Sequence, residues 1–310
     1  MTSRILPTAA LLLHALAGAS QEQARQAVEQ AIAKQMSGKP GTVVALDVHS
    51  GKIVAQWNLK VAAQRVTAPG SAVKPFVLMG LLQSGKIDPD QHLVCRRPLT
   101  IAGRHMDCSH SPAITNLDAA DAIAYSCNSY FAAVAPRLSP RGLVGVFERA
   151  GFTSQTGLAP DEAVGRLTLA ADDPHLQLQA LGDWGIEITP LELLAAYRNL
   201  ALQKVKNDHA ALEPVFSGLE RSVQYGMAHD AAPAPASGIT VAGKTGTASG
   251  TKTPQTHGFF VGYAPSGKPE IVVMVYLENG RGSDAAAIAA PVFAAYAKAA
   301  RSGPKSGAAR

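Results

Sequence analysis

The sequence predicts an α+β fold: one antiparallel β-sheet built from N- and C-terminal strands, flanked by helices, with a mainly helical second lobe. Three observations predict it. Short apolar runs bounded by turn residues occupy 42–57 and again 239–278, far apart in the chain. Between them lie helix start signals and helical periodicity. Within each strand-rich end the joining turns are short, as in antiparallel sheets.

The elements follow in order. Residues 1–4 carry one positive charge, and ILPTAALLLHALAGA (5–19) is apolar and ends in the small-x-small pattern Ala17-Gly18-Ala19. Residues 1–19 therefore read as a secretory signal peptide or an uncleaved anchor, and either puts the folded part outside the cytoplasm. Residues 21–36 form an amphipathic helix with Val28, Ile32 and Met36 on one stripe, broken at 37–41. TVVALDV (42–48) and IVAQW (53–57) are two strands around a tight turn. After Pro69-Gly70 a helix runs from about Ala72 to Gln83. Residues 86–115 show no period and read as irregular. Thr115-Asn116-Leu117-Asp118 resembles a capping box opening a helix to about Ala135, and 142–149 hold another. Thr189-Pro190-Leu191-Glu192 is a stronger start, with Glu192 a capping residue and not a catalytic acid. Strands at 239–249, 257–265 and 270–278 precede a closing helix at 284–300. Residues 20–300 read as a single domain and 301–310 as a disordered tail.

Composition narrows the function. The chain has 310 residues, 47% hydrophobic and 16% charged, as an ordinary folded protein does. Aromatics make up 5%, so alanine and β-branched residues must fill much of the core. The net charge of +5 is scattered, without a Lys/Arg run, which argues for mild attraction to anionic surfaces and against a nucleic-acid partner. Cys95 and Cys108 could close a loop as a disulfide, a gain of about 3 kcal/mol. A zinc set of Cys95, Cys108, His105 and His110 matches no common module, so neither metal nor cofactor is expected. Cys127 reads as a buried free thiol, and His257 as a surface or core histidine.

Three short stretches carry chemistry. Ser71 and Lys74, in PGSAVKPF, lie three apart and share a helical face, where a neutral lysine can take the serine's proton. Burial and a second cation would both lower the lysine's pKa toward that state. Pro75 disfavours helical geometry at Lys74 but still falls in the first turn. The second stretch is Ser126-Cys127-Asn128 and the third Lys244-Thr245-Gly246-Thr247. In a regular helix residues i and i+2 point apart, so Ser126 and Asn128 can share a cleft only if the helix breaks at 126–128. Gly246 on a strand leaves room where a substrate backbone could lie along the sheet edge.

S-x-x-K, S-x-N and K-T-G in this order resemble the transpeptidase module of penicillin-binding proteins, in the superfamily that includes the serine β-lactamases. TVVALDVHSGKIVA, GDWGIEITPLELLAAY and HGFFVGYAP extend the resemblance over about 40–300. It implies the β-lactamase/transpeptidase-like fold and a role for each residue. Ser71 is the acylated nucleophile and Lys74 its general base. Ser126 relays a proton to the leaving amine, Lys244 holds Ser126, and Asn128 binds the substrate amide. Thr245, Gly246 and Thr247 line the substrate strand, with both threonines on its carboxylate, and the N–H groups of Ser71 and Thr247 form an oxyanion hole. The implied activity is a D-Ala-D-Ala transpeptidase or carboxypeptidase on peptidoglycan stem peptides, with β-lactams as covalent inhibitors and cell-wall synthesis proteins as partners. Larger relatives carry an N-terminal pedestal or a glycosyltransferase domain, and polymerising activity is not expected of this chain. Two alternatives stand beside this one. A β-lactamase would need a water-activating carboxylate, and without an E-x-x-L-N match only Asp172 and Asp173 offer themselves. A non-catalytic sensor would keep the pocket without turnover.

Overall fold

The computed structural model describes residues 8–206, 210–249 and 255–302. Five strands form the main sheet: β1 (Gly41–Asp47), β2 (Ile53–Trp57), β3 (Ala242–Ser249), β4 (Thr256–Ala264) and β5 (Ile271–Leu277). Their order is β2-β1-β5-β4-β3, antiparallel throughout. The N-terminal hairpin thus joins the C-terminal meander through β1 and β5, as the sequence predicts.

Both faces of the sheet are covered, which explains why its strands read as nearly unbroken apolar runs. Val43 and Ala45 of β1, with Val273 and Val275 of β5, pack beneath α1 (Thr8–Met36) and the closing C-terminal helix (Gly282–Ser302). Val44, Leu46, Val272 and Met274 point the other way, into the larger core shared with the helical lobe. Val28, Ile32 and Met36 are the buried stripe of α1. That helix starts earlier than the expected residue 21, at Thr8 just after Pro7, and runs through Gly18 on an Ala- and Leu-rich segment of high helix propensity. Residues 1–7 of the expected leader, and 303–310 of the expected tail, lie outside the described residues; Arg301 and Ser302 still belong to the closing helix. Among the described residues no helix is long and apolar enough to cross a membrane.

The helical lobe contributes α2 (Lys74–Gln83), α3 (Ala119–Ala124), α4 (Asn128–Val134), α5 (Pro140–Ala150), α6 (Asp173–Ala180), α7 (Pro190–Lys206) and α8 (Glu213–Gln224). Two start signals fared differently. At α7, Glu192 Oε2 accepts from Thr189 N at 2.7 Å and Thr189 Oγ1 accepts from Glu192 N at 3.1 Å, the reciprocal box read from the sequence. At α3 the expected box at Thr115 is wrong. Asn116–Leu117 pair with Leu93–Val94 as a short strand, and Asp118 is the N-cap, accepting from Asp121 N at 2.7 Å.

Candidate active site

The Ser71 turn is wedged between the sheet and the lobe. Gly70–Val73 form a 3₁₀ turn leading straight into α2. In a 3₁₀ turn i and i+3 eclipse, so Ser71 and Lys74 lie along one edge. Lys74 adopts helical angles (φ −54°, ψ −37°) despite Pro75, which sits in the first turn of α2. Gly70 has φ +54°, and a Cβ there would strike the Thr247 carbonyl of β3. Gly246 has the same reason to be glycine, since its Cβ would strike the Pro69 carbonyl. The sequence reading assigned that space to substrate; the Ser71 turn fills it.

Four further contacts fix the turn. Gly70 N donates to Gly182 O at 2.9 Å, Tyr197 Oη donates to Ala72 O at 2.8 Å, and Thr67 exchanges two backbone bonds with Ile188. His257 Nε2 donates to Ala68 O at 2.8 Å and lies 3.1 Å from Thr67 Oγ1. His257 therefore ties β4 to the segment ahead of the serine. That role was not read from the sequence, where a single histidine on a strand carries no signal.

Helical geometry breaks at 126–128, as predicted. Ser126 closes α3 with φ +53°, a left-handed conformation seldom adopted by residues other than glycine and asparagine. Cys127 is extended and caps α4. The break turns the side chains of Ser126 and Asn128 toward the same amine. Lys74 Nζ donates to Asn128 Oδ1 at 2.5 Å, to Ser126 O at 2.8 Å and to Ser126 Oγ at 3.3 Å. Lys244 Nζ, from β3, donates to Ser126 Oγ at 2.8 Å and to Thr245 O at 2.9 Å. Three segments of the chain thus meet at one hydroxyl.

Both lysines are fully buried. Burial brings the Lys74 amine down to about 8. Burial, with the charge of Lys74 adding to it, holds Lys244 well below the usual lysine range. Two ammonium groups on one hydroxyl repel each other, so the pair gives up a proton more readily than a free lysine. Ser71 is half-buried, and its hydroxyl makes no hydrogen bond among the described residues. Of the two threonines, Thr247 is exposed and accepts from Gly282 N at 2.9 Å. Thr245 is buried on the same strand face, its hydroxyl on Met227 O at 3.4 Å, so the expectation of two threonines open to a carboxylate narrows to Thr247. Asp172 is occupied as the N-cap of α6 and bonds to His175. Glu192, its carboxyl raised by burial, is held by the amides of Thr189 and Gly165.

Beside the break, Cys95, Cys108, His110 and Cys127 bring their donor atoms within 4.8 Å of one another. The sequence reading expected no metal and drew its zinc set with His105. His105 lies exposed on a two-residue strand outside this cluster, and Cys127 takes its place. The Cys95–Cys108 disulfide weighed in the sequence is not formed, and Cys127 is a buried free thiol, as expected, with Cys108 Sγ 3.6 Å away.

The profile of the family described as penicillin binding protein transpeptidase domain matches residues 41–298. The peptidoglycan D,D-transpeptidase MrdA of Acinetobacter baumannii is 25% identical over 84% of this chain and 51% of its own length. The probable peptidoglycan D,D-transpeptidase PenA of Neisseria flavescens is 25% identical over 82% of this chain and 73% of its own. The chain thus spans about half of MrdA. Among solved structures, the transpeptidase domain of Burkholderia pseudomallei penicillin-binding protein 3 superposes with a TM-score of 0.77 at 20% identity, covering 93% of this chain and 97% of that one. A peptidoglycan glycosyltransferase from Burkholderia ambifaria gives 0.75 at 22% identity over 93% and 98%.

Proposed function

The chain belongs to the penicillin-binding protein transpeptidase family, and we propose that it is a penicillin-binding acyl-serine D,D-peptidase acting on peptidoglycan stem peptides, as a D-Ala-D-Ala transpeptidase or carboxypeptidase. One observation carries the reading: the Ser126 hydroxyl receives two buried amines from separate segments, Lys244 of β3 and Lys74, which closes the 3₁₀ turn that holds Ser71.

Ser71 Oγ attacks the carbonyl carbon of the terminal peptide bond, and Lys74 in its neutral form takes the hydroxyl proton. The N–H groups of Ser71 and Thr247 stabilise the oxyanion, each aimed donor being worth about 3 kcal/mol. When the C–N bond breaks, the leaving nitrogen takes a proton from Ser126 Oγ, which Lys244 resupplies. An amine or water then attacks the Ser71 ester and passes its proton through Ser126 Oγ back to Lys244, while Lys74 returns its own proton to the departing Ser71 Oγ. Asn128 binds the substrate amide. Thr247, exposed on β3, holds the terminal carboxylate. The chemistry needs no metal at the serine.

Residues 20–300 form the working domain outside the cytoplasm, and residues 1–19 direct export or tether the chain. β-Lactams acylate Ser71 as covalent inhibitors, and proteins of cell-wall synthesis are its partners. The test mixes purified protein with a labelled penicillin and follows the adduct by intact mass. A long-lived adduct on Ser71, lost in a Ser71→Ala variant that melts like the wild type, is the expected result. Rapid turnover of the adduct would move the reading to a β-lactamase. A folded protein that never acquires the adduct would overturn it.

A further inference from the structure

The four donors beside the break lie within 4.8 Å of one another, and three of their six pairs have the spacing of metal ligands. Cys95 Sγ and Cys108 Sγ are 3.6 Å apart, Cys108 Sγ and Cys127 Sγ 3.6 Å, and Cys95 Sγ and His110 Nε2 3.7 Å. A tetrahedral zinc-class ion, with bonds of about 2.3 Å to sulfur and about 2.0 Å to nitrogen, holds its ligand atoms roughly 3.5–3.8 Å apart. A disulfide would bring two sulfurs to about 2.05 Å. The donors come from three places: the end of a short strand, the loop after a hairpin, and the 126–128 break. Cys108, His110 and Cys127 are buried. His110 Nδ1 lies 3.1 Å from Ser111 O and 2.9 Å from Arg97 Nη2; since Arg97 only donates, Nε2 becomes a free ligand once Arg97 leaves the ring and Nδ1 donates to Ser111 O. Three thiolates and a dication leave one negative charge. The Arg97 guanidinium lies against the same ring, 2.9 Å from Nδ1 and 3.3 Å from Nε2, and donates to His110 O at 2.8 Å. A bound ion would take its place at Nε2 and leave its charge beside the cluster.

The cluster also grips the active-site break. Cys127 is the middle residue of Ser126-Cys127-Asn128. Cys127 Sγ accepts from Tyr130 N and Cys108 Sγ from Ser129 N, each at 3.4 Å. Asn128 Nδ2 donates to Met106 O at 2.9 Å, two residues before Cys108. The left-handed backbone at Ser126 is strained and persists only where its surroundings hold it.

We propose that Cys95, Cys108, His110 and Cys127 bind one thiophilic ion of the zinc class, and that this ion holds Ser126 and Asn128 in the shape the two lysines require. The four residues are positioning residues, acting on the chemistry through the break. The positioning claim rests on the acyl-serine reading above; the binding claim does not.

The test uses the purified full chain. Metal analysis should find one zinc-class ion per chain, and cobalt(II) in its place should give sulfur-to-metal charge-transfer bands with the strong d–d bands of a tetrahedral site. Chelation under reducing conditions should speed hydrogen exchange across 122–131 and slow penicillin acylation at least tenfold, and zinc should restore both. Cys95→Ala should lose the ion, and Cys95→Asp, which keeps a ligand atom, should retain it. A folded chain with no ion and no cobalt spectrum, or one in which two of the thiols are joined with a loss of 2 Da, would overturn the site. An ion whose removal changes neither exchange nor acylation would overturn the positioning role. A chain that binds the ion and shows the exchange effect but never takes penicillin would refute the proposed function and leave the site standing.

Discussion

Lys244 and Lys74 reach the same hydroxyl from regions built on different terms. Lys244 stands on β3, whose register with β4 runs unbroken from Ala242–Tyr263 to Ser249–Thr256. Its position follows from a ladder of backbone bonds inside a sheet covered on both faces. Lys74, Ser126 and Asn128 stand in the lobe, on a 3₁₀ turn and a broken helix. Side-chain contacts, close glycines and a left-handed serine hold them there. The sheet side is over-determined. The lobe side depends on a few contacts, so substitutions there should change chemistry more than stability.

Removing the lobe's amine tests this most severely. Lys74→Met should slow penicillin acylation by about a hundred- to ten-thousandfold. The melting temperature should hold or rise, because one of two neighbouring buried cations is gone. An intact-mass time course within a few-fold of wild type would break the assignment. Titrating the same group is milder. In the proposed role the neutral amine is the base, and burial brings its pKa down to about 8, so acylation should fall roughly tenfold per pH unit below that value and level off above it. A flat rate between pH 6 and 9 would remove Lys74 from the role. At the seam between the two regions, Gly246→Ala drives a Cβ against the Pro69 carbonyl. It should cost about 1–3 kcal/mol in denaturant unfolding and slow acylation about tenfold, as the serine turn shifts. The smallest effect belongs to a position outside the site. Thr189→Ala removes one half of the α7 cap and should cost about 1 kcal/mol, a few degrees in melting temperature, with acylation unchanged.

The same contrast governs what could be read from the letters. All five sheet strands were placed to within a few residues; β1, β4 and β5, buried on both faces, announce themselves most plainly as apolar runs. The 126–128 break was also legible, because two polar residues two apart cannot share a helix face. The cysteine and histidine cluster was legible only in part: Cys95, Cys108 and His110 were drawn together, but with His105 in the place of Cys127 and without an expected metal. Its donors at 95, 108, 110 and 127 follow no module spacing and mostly lie in a stretch without period, so only the folded chain brings them together. His257 was missed for a related reason: its partners are the hydroxyl of Thr67 and the carbonyl of Ala68, nearly two hundred positions away. The false box at Thr115 shows the reverse error, a local pattern overruled when Asn116–Leu117 found a strand partner.

The strand order carries one more consequence, for the making of the protein. β5, the last strand to be synthesised, lies at the centre of the sheet, between β1 and β4. Until it emerges, the opening hairpin has no neighbour to dock against, and the strand bearing Lys244 belongs to no finished sheet. An unfinished chain therefore carries Ser71 and Lys244 on parts of the fold that β5 has not yet joined.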